Sequence, residues 1–169
     1  MDNRKILIIV AASLAVVAVA VYAWFYGWFG GEPSPSRLEH RALNAPTPAE
    51  RRAAASELAG MGEPAREHLK RTYQQSAEPE VRATSVLGLG AQRDYESIEL
   101  LFEAAQDEST EVRRRAGVAL NKMLGVDMGF RANDPPEKRA DVLRGMRKAY
   151  EEMKASGMLD EWLDRMNRE

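Results

Sequence analysis

The 169 residues carry 24 Lys and Arg against 26 Asp and Glu, a formal charge of −2 that excludes the basic excess of a nucleic-acid-binding surface. Cysteine is absent, so disulfides and thiolate metal sites are excluded outright. Beyond an apolar N-terminal stretch, the remaining length suffices for one folded domain.

Residues 1–5 form a short tail holding Arg4 and Lys5. Ile6 to Phe29 is a run of 24 residues without a charge. At ~1.5 Å per helical residue it spans roughly 36 Å, enough to cross a hydrocarbon core of about 30 Å with some tilt. Tyr22, Trp24, Phe25, Tyr26, Trp28 and Phe29 crowd its end, where aromatic rings favour the headgroup level. Residues 6–29 are therefore expected to be a single transmembrane helix in contact with the lipid bilayer. Read instead as a signal peptide, Ala18-Val19-Ala20 would be the cleavage site, leaving Trp24 to Phe29 as a greasy new terminus. The uninterrupted run is also too long for an ordinary signal core, so retention as an anchor is the preferred reading. Ala12, Val16, Ala20, Ala23 and Gly27 share one face at helical spacing, a candidate surface for packing against another membrane helix. Arg4 and Lys5 sit at the membrane edge, whereas Arg37 and Arg41 follow a spacer. The positive-inside comparison is nearly balanced, and the two bases at the membrane edge favour the N-terminus inside. The expectation is an inner (cytoplasmic) membrane protein with its C-terminal domain periplasmic or extracytoplasmic.

Residues 30–46 read as a linker, because Gly30-Gly31-Glu32-Pro33-Ser34-Pro35-Ser36 has spacer composition. Arg37 to Leu43 has the pattern of a short helical turn that Ala45-Pro46 would end. Thr47-Pro48-Ala49-Glu50 is a capping box with proline at the first helical position. That helix runs to about Gly60, with Gly62 available as a left-handed cap. Pro64 opens the next helix, in which Ala65, Leu69, Thr72 and Tyr73 share a face. Pro79 starts a third, extending to about Leu89. Asp94 can cap a fourth with an Ile98, Leu101, Phe102 and Ala105 stripe. Ser109 can cap a fifth, striped by Val112, Ala116, Ala119, Leu120 and Met123 and ending at Gly125. No useful stretch alternates with period two, so the fold class is all-α.

A repeat underlies these helices. Arg51, Arg82 and Arg113 are spaced by 31 residues, as are Leu58, Leu89 and Leu120. Ala54, Ser85 and Ala116 keep the same register, and Leu69 and Leu100 also differ by 31. Two short helices per period of this length mark a stacked solenoid, in which each pair needs its neighbour to bury its apolar face.

Glu80-Val81-Arg82 and Glu111-Val112-Arg113-Arg114-Arg115-Ala116, each with a leucine seven residues after its first arginine, resemble HEAT repeats. The likeness is to the short bacterial kind grouped with phycobilisome-lyase-like HEAT domains, and it covers residues 47–125. It implies that the motif arginine pairs with an acid of a neighbouring turn, building a ladder along the stack. Arg51, Arg82 and Arg113 would be the structural rungs, with Glu78, Asp94 and Asp107 as candidate partners. Glu50 stands where valine is usual, as a half-exposed first repeat would allow.

After Gly125 the period breaks, and Val126 to Asn133 reads as a loop. Asp134-Pro135-Pro136-Glu137 resembles another capping box, opening a long helix to about Ala155 that Gly157 stops. Met158, Leu159, Trp162, Leu163 and Met166 then stripe a last short helix. Residues 126–169 are thus expected to form a C-terminal helical cap. The final stripe is also a candidate partner surface, because aromatic and Met side chains serve both cores and interfaces.

No catalytic, cofactor or metal residues emerge. His40 and His68 have no second histidine at ligand spacing, so His68 reads as a surface or packing residue. The serines lack a nucleophile-elbow setting, and the glycines form no phosphate loop. Arg113-Arg114-Arg115 points three ways at 100° steps, which favours one rung and two solvated arginines over an anion site. The expectation is a membrane-anchored helical-repeat scaffold, not an enzyme, that binds another protein as an accessory or assembly subunit of a membrane complex. The alternative that the resemblance leaves open is a lyase-like or chromophore-handling enzyme.

Overall fold

The computed structural model describes residues 33–159 together with Val17, Ala20 and Val21. It divides into two units, Met1–Ser34 and Pro35–Glu169. In the first unit Val17, Ala20 and Val21 are helical and exposed. Among the described residues no helix is long and apolar enough to cross a membrane. The expected span at 6–29 lies outside them but for those three positions, as do Ala12, Ala23 and Gly27 of its small-residue face.

The second unit holds α1 (Pro35–Asn44), α2 (Pro48–Gly60), α3 (Arg66–Gln75), α4 (Pro79–Ala91), α5 (Ile98–Ala104), α6 (Thr110–Leu124) and α7 (Pro136–Ala155). No strand occurs among the described residues, so the all-α expectation is met. Helices α2, α4 and α6 lie side by side, and α1, α3 and α5 pack against α2, α4 and α6 in turn. This is the arrangement of a short α-solenoid. Leu58, Leu89 and Leu120 are fully buried, and so are Ala54, Ser85 and Ala116 beside them. Each such leucine contributes about 1.5–3 kcal/mol through burial, while the small residue lets the neighbouring helix approach.

Local chemistry accounts for the helix ends. Thr47 and Glu50 form a complete capping box, each side chain bonded to the other's backbone N–H. Gly125 takes the left-handed conformation (φ 71, ψ 9) and its N–H bonds to Asn121, closing α6. Gly62 departs from its expected role: Met61 is the C-cap in helical conformation, and Gly62 has φ 73 with ψ −146. The box expected at Asp134 also does not form. Pro136 forces Pro135 out of the helical region (φ −54, ψ 148), so Pro135 becomes the N-cap and Asp134 falls one residue outside.

Two larger corrections concern register. The expected linker 30–46 contains α1, whose Leu38 and Ala42 are completely buried one turn apart. Its spacer-like prolines hide a helix start, since Pro35 occupies the first helical position. Leu100, expected as the partner of Leu69, is only half-buried, and Leu101 takes the fully buried place. The turn between α4 and α5 is one residue longer than that between α2 and α3. Arg93, with φ 51, stands in this longer turn.

Candidate functional site

The three motif arginines sit near the N-terminal ends of α2, α4 and α6 and act alike. Each reaches back six residues to a turn carbonyl and forward to the next turn. Arg51 donates to the Ala45 carbonyl and to the Glu78 carboxylate. Arg82 donates to the carbonyls of Ser76 (3.3 Å) and Ala77 (3.1 Å), and its Nε and Nη2 grip both oxygens of Asp107 at 3.0 and 2.9 Å. Arg113 donates to the carbonyls of Asp107 and Glu108, both at 2.8 Å, and to that of Ala132 at 3.0 Å. The ladder thus ties four successive turns. Asp107 holds Arg82 charged, raising its pKa through the paired hydrogen bonds.

Glu78 and Asp107 are rung partners as expected, but Asp94 is not. It follows the C-terminal end of α4, which itself lies roughly 14 Å of helix away from Arg82. There, buried to 2 % exposure, Asp94 accepts from Ser97 and faces Arg66 at 3.3 Å and Lys70 at 3.8 Å. Among the described residues Arg113 bonds carbonyls and the Thr110 hydroxyl and no acid, because a loop stands where a further repeat would supply one. Arg114 and Arg115 share Glu111 on the surface, which matches the reading of one rung and two solvated arginines.

Stacking contacts repeat with the same period. A Cβ on Gly88 would lie 2.8 Å from the Cβ of Ala59, so α2 and α4 touch backbone to backbone. One period on, Gly90 meets Ala119 in the same way between α4 and α6. At the ends of the row these positions are polar: exposed Glu57 in α2 and half-buried Asn121 in α6. Asn121 instead bonds Asp127 at 3.0 Å, and Phe130 of the following loop lies against Gly117. Both ends of the row are therefore closed by side chains that a further repeat would have to displace.

The first helix is pinned by charge. Arg71 of α3 grips both oxygens of Glu39 at 2.8 Å, and His68 closes on the same carboxylate. Arg71, and after it His68, hold the Glu39 carboxyl below the usual glutamate range against the cost of burial. His68 thus joins α1 to α3 through its contact with the Glu39 carboxylate, more than a surface or packing residue.

What faces outward along α2, α4 and α6 is a second row with the same period. Ser56, Leu87 and Val118 occupy equivalent positions, and Leu87 and Val118 are 37 % and 50 % exposed. Beside Leu87 runs an open groove of about 470 Å³, bordered by the ion pairs Arg52–Glu80 and Arg115–Glu111. The partner surface expected from the sequence lies elsewhere, on the C-terminal stripe. Of that stripe Met158 is 53 % exposed and Leu159 is buried, while Trp162, Leu163 and Met166 lie outside the described residues. The signal for the outward row was the apolar pair at repeat spacing where α2 has serine. Among the described residues no three carboxylates or imidazoles are grouped to hold a metal ion.

Compared with known proteins, the chain matches HEAT repeats at residues 35–121 and again at 66–156. The two matches take in α1, which the motif residues alone had left out, and α7. No curated protein and no solved structure matches it.

Proposed function

The chain belongs to the HEAT-repeat family, and from that premise we propose that it is a membrane-anchored scaffold binding another protein, as an accessory or assembly subunit of a membrane complex. HEAT repeats generally mediate protein–protein interaction. The observation that carries the reading here is the exposed Leu87–Val118 row on side-by-side helices, flanked by charged pairs. An apolar strip with a polar border is the usual anatomy of a protein interface. The rung arginines are occupied within the ladder and both ends of the row are capped, so a lateral face is what remains for a partner.

The anchor belongs to the proposal on the strength of the uncharged run Ile6–Phe29. Arg4 and Lys5 before it support a domain on the extracytoplasmic side of the inner membrane. The reading assigns the domain no reaction and no cofactor. Affinity isolation of the full chain from gently solubilised membranes tests it. A stoichiometric companion that Val118→Glu releases, with helicity unchanged, is expected; a chain that runs alone contradicts the proposal.

A further inference from the structure

We propose that the outward face of α1 binds anionic phospholipid headgroups, resting the repeat stack against the bilayer by its first helix. This rests on the anchor reading above. Helix α1 carries one acid, Glu39, and the bases Arg37, His40 and Arg41. The fold sorts them. Leu38 and Ala42 are fully buried and set the inward side, and Glu39 is drawn into the pairing with Arg71 and His68, its side chain 14 % exposed. Arg37, His40, Arg41 and Asn44 are exposed and fall within about 100° of helical arc. A chain of net charge −2 thus presents basic groups on the helix nearest its apolar stretch.

Chain length supplies the second argument. Only Gly30 to Ser34 separate Phe29 from α1, and five residues reach at most about 17 Å. An anchor ending at the headgroups therefore leaves the first residue of α1 within roughly two Debye lengths of lipid charge, and the rest of the ~15 Å helix comes as close only when it lies along the surface. Two repeats along, α5 exposes Glu103, which the same surface repels, while the exposed Glu96 and Glu99 beside it are paired with Arg66 and Arg147. Attraction at one end and repulsion at the other select α1 as the side that faces lipid.

The chain has no cysteine of its own, so Ser36→Cys takes a single dye. The labelled full chain is reconstituted into nanodiscs of phosphatidylcholine, alone or mixed with phosphatidylglycerol, with an acceptor on lipid headgroups. Energy transfer should rise with phosphatidylglycerol, and the gain should vanish in high salt. Arg37→Gln and Arg41→Gln should each cut the gain about five-fold at low salt, whereas Glu103→Gln should not reduce it. Equal transfer in both kinds of disc, or a gain indifferent to the arginines, would overturn this inference and leave the anchor standing. A chain that high salt strips from the discs would overturn the anchor and the inference together.

Discussion

Gly90 of α4 lies so close to Ala119 of α6 that a methyl group on the glycine would overlap the alanine side chain. The contact repeats that of Gly88 with Ala59, with glycine and alanine exchanged. Gly90→Ala must push the two helices apart, at a cost of about 1–3 kcal/mol. Gly145 of α7 offers the contrast, since its nearest neighbour, the Met128 terminal methyl, would be 3.6 Å from an added Cβ. There the better helix propensity prevails, and Gly145→Ala should stabilise by roughly 0.5–1 kcal/mol. Urea denaturation of the detergent-solubilised chain should show midpoints moving in opposite directions.

The ladder predicts a second contrast. Arg82 and Asp107 have side chains only 11 % and 8 % exposed, whereas the Arg114 side chain is 52 % exposed. Arg82→Ala leaves a nearly buried carboxylate and two turn carbonyls without their donor, costing about 3–5 kcal/mol. Arg114→Ala should cost less than ~0.5 kcal/mol. Equal denaturation midpoints for the two variants would show that the rung is not structural.

Closure of the stack by the loop after α6 rests on Phe130 against Gly117. Phe130→Ala should destabilise by about 3–5 kcal/mol. Gly117→Ala should be costly in the native background and much less so when Phe130 is already alanine. A double-mutant cycle reads that coupling, and additive effects would mean the two do not share the space.

Acid should loosen the first helix. The Glu39 carboxyl is held below its ordinary range, chiefly by Arg71, so the stabilisation is present above the unfolded glutamate pKa. It is lost as pH falls through the lowered folded value. Hydrogen exchange in α1 should accelerate across that window, and Glu39→Gln should remove the acid-dependent step while leaving α1 looser at neutral pH.

Much of this fold can be read from residue spacing, because Arg51, Arg82, Arg113 and their leucines each do the same job in successive layers. Spacing fails where one residue slips. The longer turn around Arg93 hands the buried place to Leu101, and a leucine pair carries no mark of which member turns inward. Only the start of α1 was hidden, because Pro33, Ser34, Pro35 and Ser36 have the composition of a spacer whether or not a helix begins among them, whereas Arg37 to Leu43 reads as a helical turn. The outward row was hidden for the opposite reason: Leu87 and Val118 at repeat spacing look like core. Only the packing of Gly88 against α2 and of Gly90 against α6, on the two flanks of Leu87, shows that Leu87 faces outward between them.

Site-specific photocrosslinking in intact membranes tests the central claim most directly, with a benzophenone side chain at Leu87, Val118 or Glu57 of the full chain. The account predicts one discrete adduct with another protein from Leu87 and Val118 and none from Glu57 at the capped end of the row. Adducts from Glu57 alone, or from none of the three positions, would contradict it.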